Sequence, residues 1–134
     1  MEEKSINRYR SFCRSLKNLA DAKDKDSSDK FVLSGTVQMF NLSFDLAWKV
    51  MKDIITEYHG VLDYPTGSPR ETLRMAYSVG LIEDDMRMEM LRARKNLAHD
   101  YDGELAVKYF GKITSCYFQL MDDLRKKAAE YYRS

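Results

Sequence analysis

Eight consecutive residues hold most of the chemistry available to this sequence: Arg94-Lys95-Asn96-Leu97-Ala98-His99-Asp100-Tyr101. They put a permanent cation, an imidazole and a phenol within one short stretch. Arginine holds a phosphate through paired N–H groups. An imidazole titrates near neutrality, so it can move a proton to or from a ribose 2′-hydroxyl or a leaving oxygen. A phenol can bond a phosphate oxygen or itself accept a nucleotide. Arg94 and His99 are therefore the candidate catalytic residues, and Tyr101, Lys95 and Asn96 the candidate binding positions beside them. Five residues of ideal helix turn through about 500°, which leaves Arg94 and His99 about 140° apart. They converge only if the helix stops near Leu97 and the chain turns, as Asp100 to Gly103 suggests. Composition alone favours a structural reading of the same residues: Arg94 paired with Asp100 or Asp102, His99 capping a helix end, Tyr101 packed.

Other chemistry is poorly supplied. There is no GxxxxGK[ST], GxGxxG or HExxH, and neither His59 nor His99 has a glutamate three residues before it, which removes the helix-borne Glu-x-x-His metal pairs. With two histidines in all, a histidine-rich metal site within one chain is excluded, and no cofactor is expected. Carboxylate-only magnesium binding stays open. His59, next to Gly60, reads as a helix-end cap favoured by the dipole. Cys13 and Cys116 lack CxxC spacing and are expected to be buried free thiols in a reducing compartment. The net charge of +1 advertises no general affinity for nucleic acid, so any RNA contact must be local or built by pairing two chains. No apolar run approaches a membrane span, and Met1-Glu2-Glu3-Lys4 is no signal peptide, so a cytoplasmic protein is expected.

The elements that must position the motif are helical. Over 134 residues there are two prolines and six glycines, too little punctuation for a many-stranded β protein, while Met, Leu, Lys, Glu and Arg abound. A first helix is expected over Glu2 to about Ala22, with Ile6, Tyr9, Phe12, Leu16 and Leu19 on one stripe. Lys23 to Lys30 alternates in charge and reads as a solvated loop, with Ser28 or Asp29 capping the next helix. The second helix should run from about Phe31 to Tyr58 on the stripe Phe40, Phe44, Ala47/Trp48, Met51, Ile54/Ile55, and bend or pack closely at Gly35. His59-Gly60 stops it. Ser68-Pro69-Arg70-Glu71 predicts a capping box opening a short helix, with Leu73, Ala76 and Tyr77 inward and Gly80-Leu81 at its end. Glu83-Asp84-Asp85 should start a fourth helix, with Met86, Met90 and Leu97 buried. Val107, Phe110, Ile113, Tyr117, Leu120, Leu124, Ala128 and Tyr131 predict a last, longest helix from about Glu104. Asp45 and Lys49, one turn apart, read as an exposed ion pair. The fold class is all-α, an antiparallel up-and-down bundle of four to five helices forming a single domain over residues 1–134.

Three segments carry a resemblance. Arg94-x4-His99-x-Tyr101 resembles the Rx4HxY motif of HEPN proteins. Phe40-Asn41-Leu42-Ser43-Phe44-Asp45-Leu46-Ala47-Trp48-Lys49 is similar to the "FEFTFELAWK" signature of the nucleotidyltransferase substrate-binding group. Ser68-Pro69-Arg70-Glu71, Ala76 and Gly80-Leu81-Ile82 resemble that group's "SPRE…A…GLI" segment. The order is correct and the span is roughly Gly35 to Asp102. Two departures stand out: Asn41 replaces a frequent glutamate, and Lys95 follows the motif arginine where the family has Asn, with Asn96 one place later.

The resemblance implies a HEPN subunit of a two-component system with a separate minimal nucleotidyltransferase. It implies a HepT-like toxin, a metal-independent ribonuclease neutralised when the partner attaches nucleotide to Tyr101. It also implies a homodimer in which two motifs face one groove that takes RNA or nucleotide. A second reading keeps the bundle and the groove but makes the chain a non-catalytic nucleotide- or substrate-binding subunit. A third, a phosphotransfer bundle using His59 or His99, is disfavoured because both histidines fall at predicted helix ends.

Overall fold

A computed structural model describes residues 1–83 and 86–133; the side chains of Met86 and Arg87 lie outside that description, as do Asp84 and Asp85, on which the expected acidic start of the fourth helix partly rests. The chain is an all-α bundle. Its elements are α1 (Glu3–Ala20), α2 (Lys30–Asp53) continued by a wide π turn (Ile54–Tyr58), α3 (Pro69–Ser78), α4 (Met86–Asn96), and α5 (Glu104–Lys112), which runs through a second π turn (Ile113–Tyr117) into α6 (Phe118–Ala128) and a terminal 3-10 turn (Ala129–Tyr132). The stretch from α5 to this last turn forms one rod, as the long apolar stripe predicts.

Direction follows from the contacts. Ser5 donates to Glu57, Arg8 to Asp53, and Ser43 to Ser15, so α1 and α2 run antiparallel. Asn41 meets Leu97 and Asp45 meets Arg94, so α2 and α4 are antiparallel as well. The core that joins them contains Phe12, Leu16, Val37, Phe40, Phe44, Leu73, Leu97, Ile113, Tyr117 and Leu124, all at most 2% exposed. Burying each such side chain contributes on the order of 1.5–3 kcal/mol. Phe40 and Tyr117 stack with centroids 5.6 Å apart, and the buried Tyr117 hydroxyl donates to Glu89 at 2.9 Å.

Local signals explain the element ends. The Asp29 side chain accepts from the amides of Phe31 and Val32 and caps α2. Ser68 caps α3 by accepting from the Glu71 amide, with Pro69 at the first helical position. The capping box is only half made. The Ser68 amide donates to the Pro65 carbonyl, and the Glu71 carboxylate takes Arg74 instead. At the other end Gly80 adopts φ +82°, its amide bonds the Tyr77 carbonyl and that of Leu81 bonds Ala76, a Schellman closure with Leu81 folded back into the core.

Several expectations are corrected. Tyr77 and Val107 are 49% and 58% exposed, because each sits at the edge of its helix's apolar stripe rather than at its centre. Gly35 lies on the solvent side, and a Cβ there would touch nothing within 4 Å, so no close packing requires it. Both cysteines are free, but neither is buried: Cys13 is partly exposed and Cys116 exposed. His59 does sit at the C-cap of its helix, exposed, edge-on to Tyr58 and Tyr131. No helix among the described residues is long and apolar enough to cross a membrane.

Candidate functional site

α4 ends at Asn96, and the chain turns through Leu97, Ala98 and His99. The turn forms where the sequence requires it to. Leu97 is fully buried and still bonds back to the Ala93 carbonyl at 2.9 Å, while the Ala98 amide tightens to the Lys95 carbonyl. Leu97 thus anchors the end of α4 in the core, and the chain beyond it rises to the surface. Arg94 stands on the last turn, 27% exposed at its side chain, with Lys95 and Asn96 exposed beside it. His99 is exposed in the turn, and Tyr101 is 44% exposed just beyond.

Arg94 is not paired with Asp100 or Asp102. Its Nε donates to Asp45 Oδ1 at 3.1 Å and its Nη2 to Oδ2 at 3.0 Å, a two-pronged pair between α4 and α2. The reading of Asp45 as the local partner of Lys49 is corrected by the same contact: Asp45 faces α4, and the Lys49 ammonium lies 5.9 Å from the centroid of the Trp48 ring. One turn earlier on α2, the Asn41 amide donates from Nδ2 to the Leu97 carbonyl at 3.3 Å. That carbonyl is among the last of α4, which have no helical partner of their own. The other amide atom, Asn41 Oδ1, is buried without a partner among the described residues.

The remaining acids fix the loop. Asp100 Oδ1 accepts from the Gly103 amide at 2.9 Å, and so ties the loop to the start of α5. Gly103 makes room for this contact, since a Cβ there would fall 2.4 Å from that same oxygen and push the Asp100 side chain aside. Asp102 lies 3.7 Å from the Lys30 ammonium at the start of α2. Among the described residues His99 makes no capping bond that explains its place, and Tyr101 is not packed. The corner where α4 ends thus carries Arg94, Lys95 and Asn96 on the last helical turn and exposed His99 and Tyr101 in the loop after it, with Arg92 exposed earlier on α4.

Two residues of this corner escaped the sequence reading as site residues, Asn41 and Asp45. Their signal was present: they are four apart within the Phe40–Lys49 segment, which places them on one face of α2. Among the described residues, no group of three His, Cys, Asp or Glu side chains is arranged to hold a metal ion. A cavity of about 370 Å³ lies elsewhere in the bundle, walled by Phe44, Met51, Leu73, Met90 and Met121.

Comparison with known proteins bears on the family and the fold. Residues 4–130 match the family described as nucleotidyltransferase substrate binding protein like, and the chain belongs to that HEPN-like family. A crystal structure of a protein from Thermus thermophilus superposes with a TM-score of 0.77 over 87% of this chain and 98% of that one. At 22% identity that likeness establishes the fold. No curated protein matches the sequence.

Proposed function

We propose that this chain is a one-domain cytoplasmic subunit working beside a separate minimal nucleotidyltransferase, and that its Arg94–His99–Tyr101 corner cleaves RNA without a metal. The observation that carries the reading is the stop of α4 at Asn96: it leaves Arg94 held on the last helical turn and His99 and Tyr101 exposed in the loop after it. The family's description supports the pairing with a transferase. Arg94 would bond the non-bridging oxygens of a phosphodiester. His99 would take the proton of the 2′-hydroxyl as its oxygen attacks phosphorus. The 5′-oxygen then departs with a proton from the His99 of a second copy across a two-fold groove, giving a cyclic phosphate and a 5′-hydroxyl. Lys95 and Asn96 would contact the flanking backbone. The exposed Tyr101 hydroxyl is the acceptor through which the transferase would attach nucleotide and block the groove.

The test is RNA cleavage by the purified chain in EDTA. Arg94→Ala and His99→Ala should each lower the rate about 100-fold or more. A wild-type chain inert towards varied RNAs would remove the ribonuclease claim.

A second reading keeps the partner and drops the proton transfer: a subunit that only presents nucleotide or acceptor. It is favoured by the Arg94 fork, already engaged by Asp45, and by a family description that names substrate binding. Co-purification with the transferase, together with nucleotide binding and no RNA cleavage, would select it.

A further inference from the structure

The motif stretch does not hold its own arginine in place; α2 does. Of the five N–H donors of a guanidinium, Arg94 gives one from Nε and one from Nη2 to Asp45. Both Nη1 donors and the second on Nη2 remain. One Nη1 donor and that second Nη2 donor lie along the edge that matches two oxygens of a phosphate, while the other Nη1 donor points back beside Cδ. A guanidinium is planar, so gripping one edge fixes the direction of the other. Asp45 therefore determines where Arg94 can receive a phosphate. It also forbids the other approach, since an anion at the Nε edge would meet a carboxylate.

Asn41 acts on the other half of the site. Its Nδ2 donates to the Leu97 carbonyl, the hinge from which the chain departs towards His99. The two residues are one turn apart on the same face of one helix, so a single rigid element sets both the guanidinium and the origin of the loop. Both lie in a segment that Phe40, Phe44 and Ala47, each at most 2% exposed, lock into the core, which denies α2 freedom to rotate.

We propose that Asp45 and Asn41 are positioning residues. Asp45 turns the Nη1/Nη2 edge of Arg94 outward to receive a phosphate group, and Asn41 holds the Leu97 turn so that His99 departs in a defined direction. This rests on the reading of the Arg94 corner as a phosphate site, and it extends that reading to residues outside the motif.

The experiment uses the full chain, with a short single-stranded RNA oligonucleotide as probe. In ¹⁵N–¹H spectra the Arg94 Nε–H signal should be slow to exchange with solvent in the wild type. It should broaden or vanish in Asp45→Asn and return in Asp45→Glu, with helix content unchanged by circular dichroism. Oligonucleotide affinity should fall about tenfold in Asp45→Asn, as it does in Arg94→Ala, and recover in part in Asp45→Glu. Asn41→Ala should leave the Arg94 signal in place and lower the cleavage rate more than the affinity. If the wild type binds RNA through Arg94 but never cleaves it, the ribonuclease reading fails and the role of Asp45 stands. An Arg94 signal still protected in Asp45→Asn, or affinity indifferent to both Asp45→Asn and Arg94→Ala, would overturn the proposal.

Discussion

Helix α2 carries two aspartates that each take an arginine from another helix, and the two pairs live in different solvents. Asp53 accepts both bonds from Arg8 Nη1 at 2.8 Å, with side-chain exposures of 17% for the arginine and 8% for the acid. Asp45 and Arg94 make an equally complete pair at 39% and 27% exposure. The first sits where α1 and α2 pack, near the stacked rings of Tyr9 and Tyr132; the second stands at the corner where α4 ends. A buried pair contributes little net energy when intact but is costly to break, because one charge is left stranded. A half-exposed pair is worth little in either direction. Similar bonds therefore serve as a bolt in one place and as a rest for a working side chain in the other.

That contrast can be broken by experiment. Arg8→Ala should cost about 3 kcal/mol in urea unfolding, because Asp53 loses its partner inside the bundle; a loss below about 1 kcal/mol would make the two pairs alike. Asp45→Ala should cost no more than about 1 kcal/mol while depressing RNA binding and cleavage strongly. Ser68→Ala, a cap outside both pairs, should lower stability by about 1 kcal/mol without touching activity.

Smaller effects lie in the pH dependence. Burial raises the Asp53 carboxyl above the ordinary aspartate range, and outweighs the opposing pull of Arg8 and Lys52. A raised value means the contribution is in place below about pH 3.9 and is lost as the pH rises through the raised value. The stability of the wild type relative to Asp53→Asn should therefore decline between acid and neutral pH. Glu89 has the opposite sign. Hydrogen bonds from Lys112 and Tyr117 lower it, so its contribution is present above about pH 4.3 and lost as the pH falls through the lowered value. Glu89→Gln should flatten the acid side of the stability profile.

The bundle was legible because its signals are local. Period-three and -four stripes, the Asp29 and Ser68 caps and the Gly80 closure each depend on neighbours in the chain, and the structure keeps them. The stop of α4 near Leu97 was legible for the same reason. What could not be read was who holds Arg94. Nearby acids at Asp100 and Asp102 were the natural candidates, yet Asp100 is taken by the Gly103 amide and Asp102 lies near Lys30. The true partner is 49 residues away, visible only once two helices are laid side by side. Lys49 misled in the same manner, because a helical pair four apart is the contact a sequence displays most easily.

The wide turn at Ile113–Tyr117 has a consequence for the length of the protein. A π turn holds one residue more than the α-helix around it and leaves the flanking halves in phase. A version of this chain shortened by one residue there can close to ordinary helix while Phe110 and Leu124 still face inward. Natural variants that differ by a single insertion or deletion should accumulate in that turn, and the same change within α2 should be rare, because it would swing Asn41 and Asp45 out of reach of α4.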